Sequence, residues 1–185
     1  MRNASLLAPA ALVAALPAIF YAPGAYAADY LTAAEAQKQM FPDATAFVPV
    51  AVGPSAAQIK QIEAGSGAPI NTAFWKVSAA KAGDRLLGYV VTDAVVGKFQ
   101  LISYAVAFAL DGHIRDVEIL SYREAHGGEV RTKAWRAQFV GKDATAALAV
   151  GSDIANISGA TLSCTHLTDG IRRIAHYVQI GLPKS

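Results

Sequence analysis

The chain has 185 residues, of which 54% are apolar and 16% charged, a balance that supports one folded domain with a sizeable core and excludes a disordered chain. With 16 basic residues against 14 acidic ones, the formal charge of +2 leaves no basic excess for gripping nucleic acid. Cys164 is the only cysteine, which excludes an internal disulfide, a cysteine zinc cluster and the CxxCH attachment of a c-type haem, so any redox role needs another cofactor.

Residues 1–27 read as a secretory leader. Arg2 is the short positive end, Leu6 to Phe20 the apolar run, and Ala25, Tyr26 and Ala27 a small-x-small cleavage site. Cleavage there starts the mature chain at Ala28 and makes the protein periplasmic or secreted. The rival reading is an uncleaved membrane anchor, because Ala4 to Ala28 carries no charge and is long enough to span a bilayer. Pro9, Pro17, Pro23 and the small residues at the end favour cleavage, and both readings put the folded part outside the cytoplasm. No later apolar run is long enough to span, and the sequence has no low-complexity tract or internal repeat.

Residues 28–70 read as an N-terminal extension without evident chemistry. Thr32 followed by Glu35 is a capping box that predicts a helix over Ala33 to Met40, stopping before Pro42. Thr45 to Val52 reads as an edge strand, because Pro49 cannot donate to a ladder. Ser55 then caps a second helix through Ala64, ended by Gly65 and Gly67, with Lys60 and Glu63 on a solvated face.

Residues 71–185 read as the functional domain. Thr72 to Ala80, Leu86 to Val95 and Leu101 to Leu110 are rich in Val, Tyr, Phe and Trp and are separated by Gly83, Gly97 and Lys98, the pattern of an antiparallel sheet. Asp111 and Gly112 form a two-residue hairpin turn that pairs Val106 with Val117 and Tyr104 with Ile119 on one face. Ala105, Ala107 and Ala109 leave the other face open to a closely packed helix or to a cofactor, with helix packing the simpler reading.

The next strand runs into Glu124, Ala125, His126, Gly127, Gly128 and Glu129. Two glycines allow a sharp turn and close approach to a planar ring, while Glu124, His126 and Glu129 bring titratable groups to the bend. The same stretch also reads as a plain strand-to-helix connection. Metal ligation lacks support, since there is neither an HExxH spacing nor a further anchored His. Val130 to Val140 follows as a helix with Trp135 and Phe139 in the core and Arg131, Lys133 and Arg136 facing water or an anion, and Asp143 to Val150 as a brief Ala-rich helix. The last helix carries Leu167, Ile171, Ile174, Ala175 and Val178 on one buried stripe and ends at Gly181. Arg172 and Arg173 read as a solvated face or a docking patch for an acidic redox partner. His113, His166 and His176 read as surface or core residues rather than ligands.

Ser158, Gly159, Ala160 and Thr161 lie just ahead of that helix. A Ser oxygen can cap the free N–H groups, Gly permits close approach to the backbone, and an anionic phosphate would meet donors and a favourable dipole. Taken alone, the tetrapeptide reads first as an ordinary helix start.

Laid out together, these features resemble the FMN-binding domain found in the C and G subunits of the sodium-pumping NADH:quinone reductase and the Rnf complex, and in the nitrous-oxide reductase regulators. The resemblance covers roughly Gly88 to Gly181: Gly88 and Tyr89 starting a strand, Gly97 before the next, the Asp111–Gly112 hairpin, the glycine bend, Phe139, Gly141, and Ile157 followed by SGAT and a final helix. It implies an α+β fold in which helices pack on an antiparallel sheet. It also implies FMN joined through a phosphoester bond to the last residue of SGAT, here Thr161, by a separate extracytoplasmic flavin transferase that uses FAD and magnesium. Ser158, Gly159 and Ala160 become the recognition motif and phosphate cradle, and Leu162 and Ser163 match the residues that follow. Two positions depart from the family pattern. Ala155 stands where many relatives carry Asp, with Asp153 and Asn156 nearby, and His126 to Val130 replaces the Thr-Pro-Gly-Leu-Gly bend of the sodium-pump subunits.

The function expected is an extracytoplasmic electron-transfer flavoprotein that relays electrons between membrane or periplasmic redox partners, with the glycine bend as a second wall of the flavin site. No nucleophile and base pair points to a substrate-transforming enzyme. Two alternatives remain: a reductase-type enzyme with non-covalent FMN, and a flavin-free binding or assembly module that uses the Ala-lined sheet.

Overall fold

Local capping chemistry sets the first helices in the computed structural model, which describes residues 28–51, 53–70 and 75–183. The leader reading of residues 1–27 and the start of the strand expected from Thr72 lie outside these residues. Thr32 and Glu35 close a reciprocal capping box on α1 (Ala33–Met40), and Ser55 and Gln58 close another on α2 (Ala56–Ser66), which ends on left-handed Gly67.

The sheet has six strands: β1 (Ala28–Asp29), β2 (Ala46–Val50), β3 (Lys76–Ala82), β4 (Arg85–Val96), β5 (Leu101–Ala109) and β6 (Ile114–Tyr122). They run in the order β1-β6-β5-β4-β3-β2, with every neighbouring pair antiparallel. Pro49 sits in an edge strand, where its missing N–H breaks no ladder. The expected pairs form, Val106 opposite Val117 and Tyr104 opposite Ile119, but not through a two-residue turn: the strands end at Ala109 and Ile114, the Ala109 N–H donates to the His113 carbonyl, and a register shift between Ala107 and Phe108 restores the pairing. Residues 28–70 thus supply both edge strands of the sheet, the helix α1 that packs on it, and α2, which packs on the C-terminal helix.

The sheet is covered on both faces. On one, Val91, Tyr104, Val106, Phe108, Val117 and Ile119 form the main core with α4 (Thr161–Gly181), whose stripe Leu167, Ile171, Ile174, Ala175 and Val178 is buried throughout. Burying each of the larger aliphatic side chains stabilises the fold by about 1.5–3 kcal/mol relative to exposure. On the other face Ala105 and Ala107, with Ala80, Val90 and Leu120, receive Ala36, Met40 and Phe41 from α1 and the turn after it. The small side chains therefore accommodate a helix, not a cofactor. Ala109 is only half-buried at the end of its strand.

Several local expectations are corrected. The helix expected over Val130 to Val140 is broken into a 3-10 turn (Gly128–Arg131), the single helical turn α3 (Lys133–Arg136) and a second 3-10 turn (Ala137–Phe139). Thr132 breaks it by taking an extended backbone and capping the N–H of Trp135. Trp135 and Phe139 still share a buried face, edge to face at 5.1 Å. Asp143 to Val150 forms no helix, because carboxylates compete for its backbone donors. Asp143 accepts from the N–H and hydroxyl of Thr145, and Asp153 accepts from the N–H groups of Leu148 and Ala149 while Leu148 takes φ +42°.

Charged side chains read as solvated turn out to be engaged. Glu63 accepts the N–H of Ile70 at 2.8 Å, Arg172 donates to the Leu148 carbonyl and pairs with Asp169, and Arg173 donates to the Pro69 carbonyl. Arg136 is held by Glu118 and the Val117 carbonyl, and Arg131 lies over the Tyr30 ring at 3.4 Å. Among the described residues no helix is long and apolar enough to cross a membrane.

Candidate functional site

The long helix α4 begins at Thr161, with Ala160 as its N-cap and no side chain bonded to its first-turn N–H groups. This corrects the expectation of a Ser cap: Ser158 lies two residues too early, exposed in the turn that the Ala160 N–H closes onto the Ile157 carbonyl. An α-helix leaves its first N–H groups without intrahelical partners, and its dipole makes that end favourable for negative charge. Asn156 donates to the Thr161 hydroxyl oxygen at 3.0 Å, and both residues are exposed. The approach to the motif is held at Ala155, whose N–H donates to Gln138 Oε1 at 2.7 Å and whose carbonyl accepts from the Trp135 indole at 2.8 Å.

The glycine bend packs directly against the motif. Gly127 takes φ +86°, and a Cβ at this position would stand 2.2 Å from the Ala160 methyl group and 2.6 Å from the Tyr122 hydroxyl. Tyr122 donates to the His126 carbonyl and so ties strand β6 to the turn of the bend. Burial pushes the Tyr122 phenol up, with a hydrogen bond from Ser163 opposing the shift.

A cavity of about 290 Å³ joins these parts. Gly159 to Ser163 form one side, Glu124, Ala125 and His126 another, and Lys98 with Phe99 from the β4–β5 turn a third. Of the residues singled out in the sequence, Thr161, Gly159, Ala160, Leu162, Ser163, Glu124 and His126 therefore line one space. Gly127 sits behind Ala160, while Gly128 and Glu129 are exposed at the start of the 3-10 turn and Ser158 does not line the cavity. Among the described residues no group of three His, Cys, Asp or Glu is placed to hold a metal ion.

Glu124 does something its sequence position does not reveal. Its Oε1 accepts the N–H of Phe99 at 2.6 Å and of Gln100 at 2.9 Å, clasping the β4–β5 turn. Partial burial pushes its carboxyl up, but the N–H groups of Gln100, Phe99 and Lys98 and the Lys98 charge outweigh that and hold it below the usual carboxylate range. Gly97 makes the close approach possible, since a Cβ there would lie 2.6 Å from Glu124 Oε1 and 2.9 Å from Ser163 Oγ. The turn is anchored on a further side by the His166 ring, whose Nδ1 lies 2.7 Å from the Val96 carbonyl and 3.0 Å from that of Gly97.

Lys98 and Phe99 are the cavity residues that sequence reasoning missed, reading Gly97 and Lys98 only as a strand break. The signal was an aromatic in a four-residue turn where polar residues are usual. Cys164, one turn into α4, is fully buried, and burial raises its thiol, so it is inert packing. A larger cavity of about 360 Å³ begins at the same turn and is lined by Trp75, Asp93, His166 and Arg173 among others. It contains none of the motif residues, so size does not decide between the two spaces; the chemistry at the helix terminus does.

No curated protein matches the chain. Residues 97–176 match the model of the FMN-binding domain. The matched segment opens on Gly97 of the β4–β5 turn, runs through the bend and the SGAT motif, and includes every residue that lines the smaller cavity. Residues 97–176 are thus similar to the FMN-binding domain over the whole of the smaller cavity, a match that supports flavin binding by this segment.

Proposed function

We propose that this protein is an extracytoplasmic electron-transfer flavoprotein carrying FMN in phosphoester linkage to Thr161. The observation that carries this reading is the meeting of three separate chain segments around one cavity, with the exposed Thr161 hydroxyl at the uncapped start of α4. The donor set fits the group. Unpartnered N–H groups at a helix start suit a phosphate, and the open space between Phe99 and the SGAT backbone suits part of a planar ring, being close to the lower end of ordinary small-molecule sites at about 300 Å³.

FMN, when bound, supplies the one- and two-electron redox chemistry. Thr161 Oγ is the attachment atom. In the loading step it forms the bond to the FMN phosphorus of FAD, the pyrophosphate bond breaks, AMP leaves, and the hydroxyl proton passes to a base of the flavin transferase or to water. Asn156, donating to that oxygen, holds the hydroxyl at the helix start, and the Trp135 and Gln138 clamp on Ala155 fixes the loop before it. A tether also keeps the cofactor at high effective concentration where free flavin is diluted away. Lys98 adds positive charge to the cavity wall, where the balance of charge tunes a flavin's potential.

Co-expression with a flavin transferase, followed by intact-mass measurement, tests the reading. An FMN-sized addition is expected on wild type and not on Thr161→Ala. A wild-type protein without the addition, or one whose flavin leaves with the small-molecule fraction on denaturation, refutes the covalent claim, as does an addition that persists in Thr161→Ala. Export is tested by fractionation and N-terminal sequencing, with a mature chain starting at Ala28 as the expected result.

A further inference from the structure

We propose that Phe99 is the apolar wall on which the flavin ring rests, presented there by Glu124 acting as a positioning residue. This rests on the flavin reading above. Phe99 is 73% exposed, the highest exposure among the large apolar side chains described, yet it lines the cavity that also holds Thr161. A single exposed apolar residue is ordinary on a protein surface. What sets this one apart is that its backbone is fixed while its ring is uncovered.

The fixing comes from several directions. Glu124 accepts from the N–H of Phe99 and of Gln100, the Gly97 N–H donates to the Gln100 carbonyl at 2.8 Å, and His166 contacts the carbonyls of Val96 and Gly97. None of these bonds involves the ring. The Lys98 ammonium lies 4.9 Å from the ring centroid. Leu162, itself 48% exposed, lines the same cavity from the start of α4. Two uncovered apolar groups on a polar-rimmed space, one of them on a turn whose backbone is already ordered, form a contact for a flat apolar ligand: covering them recovers hydrophobic area without the cost of ordering the turn. Stacking on an aromatic face adds to this beyond the area buried.

The test uses full-length protein loaded with FMN and reads the flavin's optical properties, so it works whether the flavin is tethered or not. In Phe99→Trp the indole, a good electron donor to an excited flavin, is expected to lower flavin emission about fivefold by stacking. In Phe99→Ala the uncovered ring is expected to be quenched by iodide about twice as efficiently as in wild type. Glu124→Gln, which weakens the clasp and leaves the ring in place chemically, should move iodide quenching part of the way towards the Ala value. Because Phe99 is exposed, its variants remove little packing, and unchanged thermal unfolding of the flavin-free proteins checks this. Loaded Phe99→Trp and Phe99→Ala proteins that both match wild type overturn the assignment and leave the flavin reading intact. A wild-type protein that takes up no flavin overturns both.

Discussion

Replacing Gly127 by Ala adds one methyl group at the point where the bend meets the SGAT motif. The added carbon would lie 2.2 Å from the Ala160 methyl and 2.6 Å from the Tyr122 hydroxyl, whereas non-bonded carbon atoms sit at about 3.5–4.0 Å. Something must therefore move by more than 1 Å, roughly the difference between these figures. Ala160 is the N-cap of α4, so the movement falls on the turn that sets Thr161. The backbone adds its own penalty, because φ +86° costs a residue with a Cβ about 1–2 kcal/mol. Overpacking adds about 1–3 kcal/mol, for a total loss of about 2–5 kcal/mol. In a chain of this size that corresponds to a drop in Tm on the order of 10 °C. Gly128→Ala is the control, since a Cβ there meets nothing within 4 Å and the residue has no positive φ; its effect should stay within about 0.5 kcal/mol. Urea unfolding of both variants measures the difference, and flavin loading should fall only in Gly127→Ala. Equal stability of the two variants would refute the contact between the bend and the motif.

Three further outcomes are expected. Glu124→Gln should weaken the β4–β5 turn by about 1.5 kcal/mol, the low end for hydrogen bonds to a charged acceptor because the group is partly solvated, read as faster hydrogen exchange at Phe99 and Gln100. The pH dependence has a definite sign: the folded carboxyl titrates below its unfolded value, so its contribution is present above the unfolded value and is lost as pH falls through the folded one. Protection of these two amides should therefore decline in acid in wild type and stay flat in Glu124→Gln. Asn156→Ala should slow flavin loading several-fold, about the effect of losing one hydrogen bond of about 1 kcal/mol, without altering thermal stability; equal loading rates by time-resolved intact mass would remove Asn156 from the site. Native Cys164 should resist alkylation and react on unfolding, because its thiol is buried and raised; fast labelling of the folded protein would contradict the packing of α4.

What could be read from the sequence were features whose causes lie within a few residues. The capping boxes at Thr32 and Ser55 need only neighbours three residues away, Asp111 and Gly112 mark the reversal between two strands, and the α4 stripe follows from helical spacing. The SGAT motif was legible only through the ordered set of features that resembles the FMN-binding domain, since its four residues alone read as a helix start. Where a side chain competes for the backbone, local pattern misled: Thr132 breaks one expected helix, and Asp143 with Asp153 abolishes another. Glu124 looked like a titratable group facing a ligand, but its Oε1 is taken by N–H groups some 25 residues away. Only the strand order β6-β5-β4 brings the Phe99 turn, the glycine bend and the start of α4 to one cavity. The sequence by itself determined the capped helices, the hairpin and the buried stripe of α4, which begins at Thr161, because capping, turn and periodicity are short-range. The walls around that residue were decided by tertiary structure, because they depend on which distant segments the sheet sets side by side.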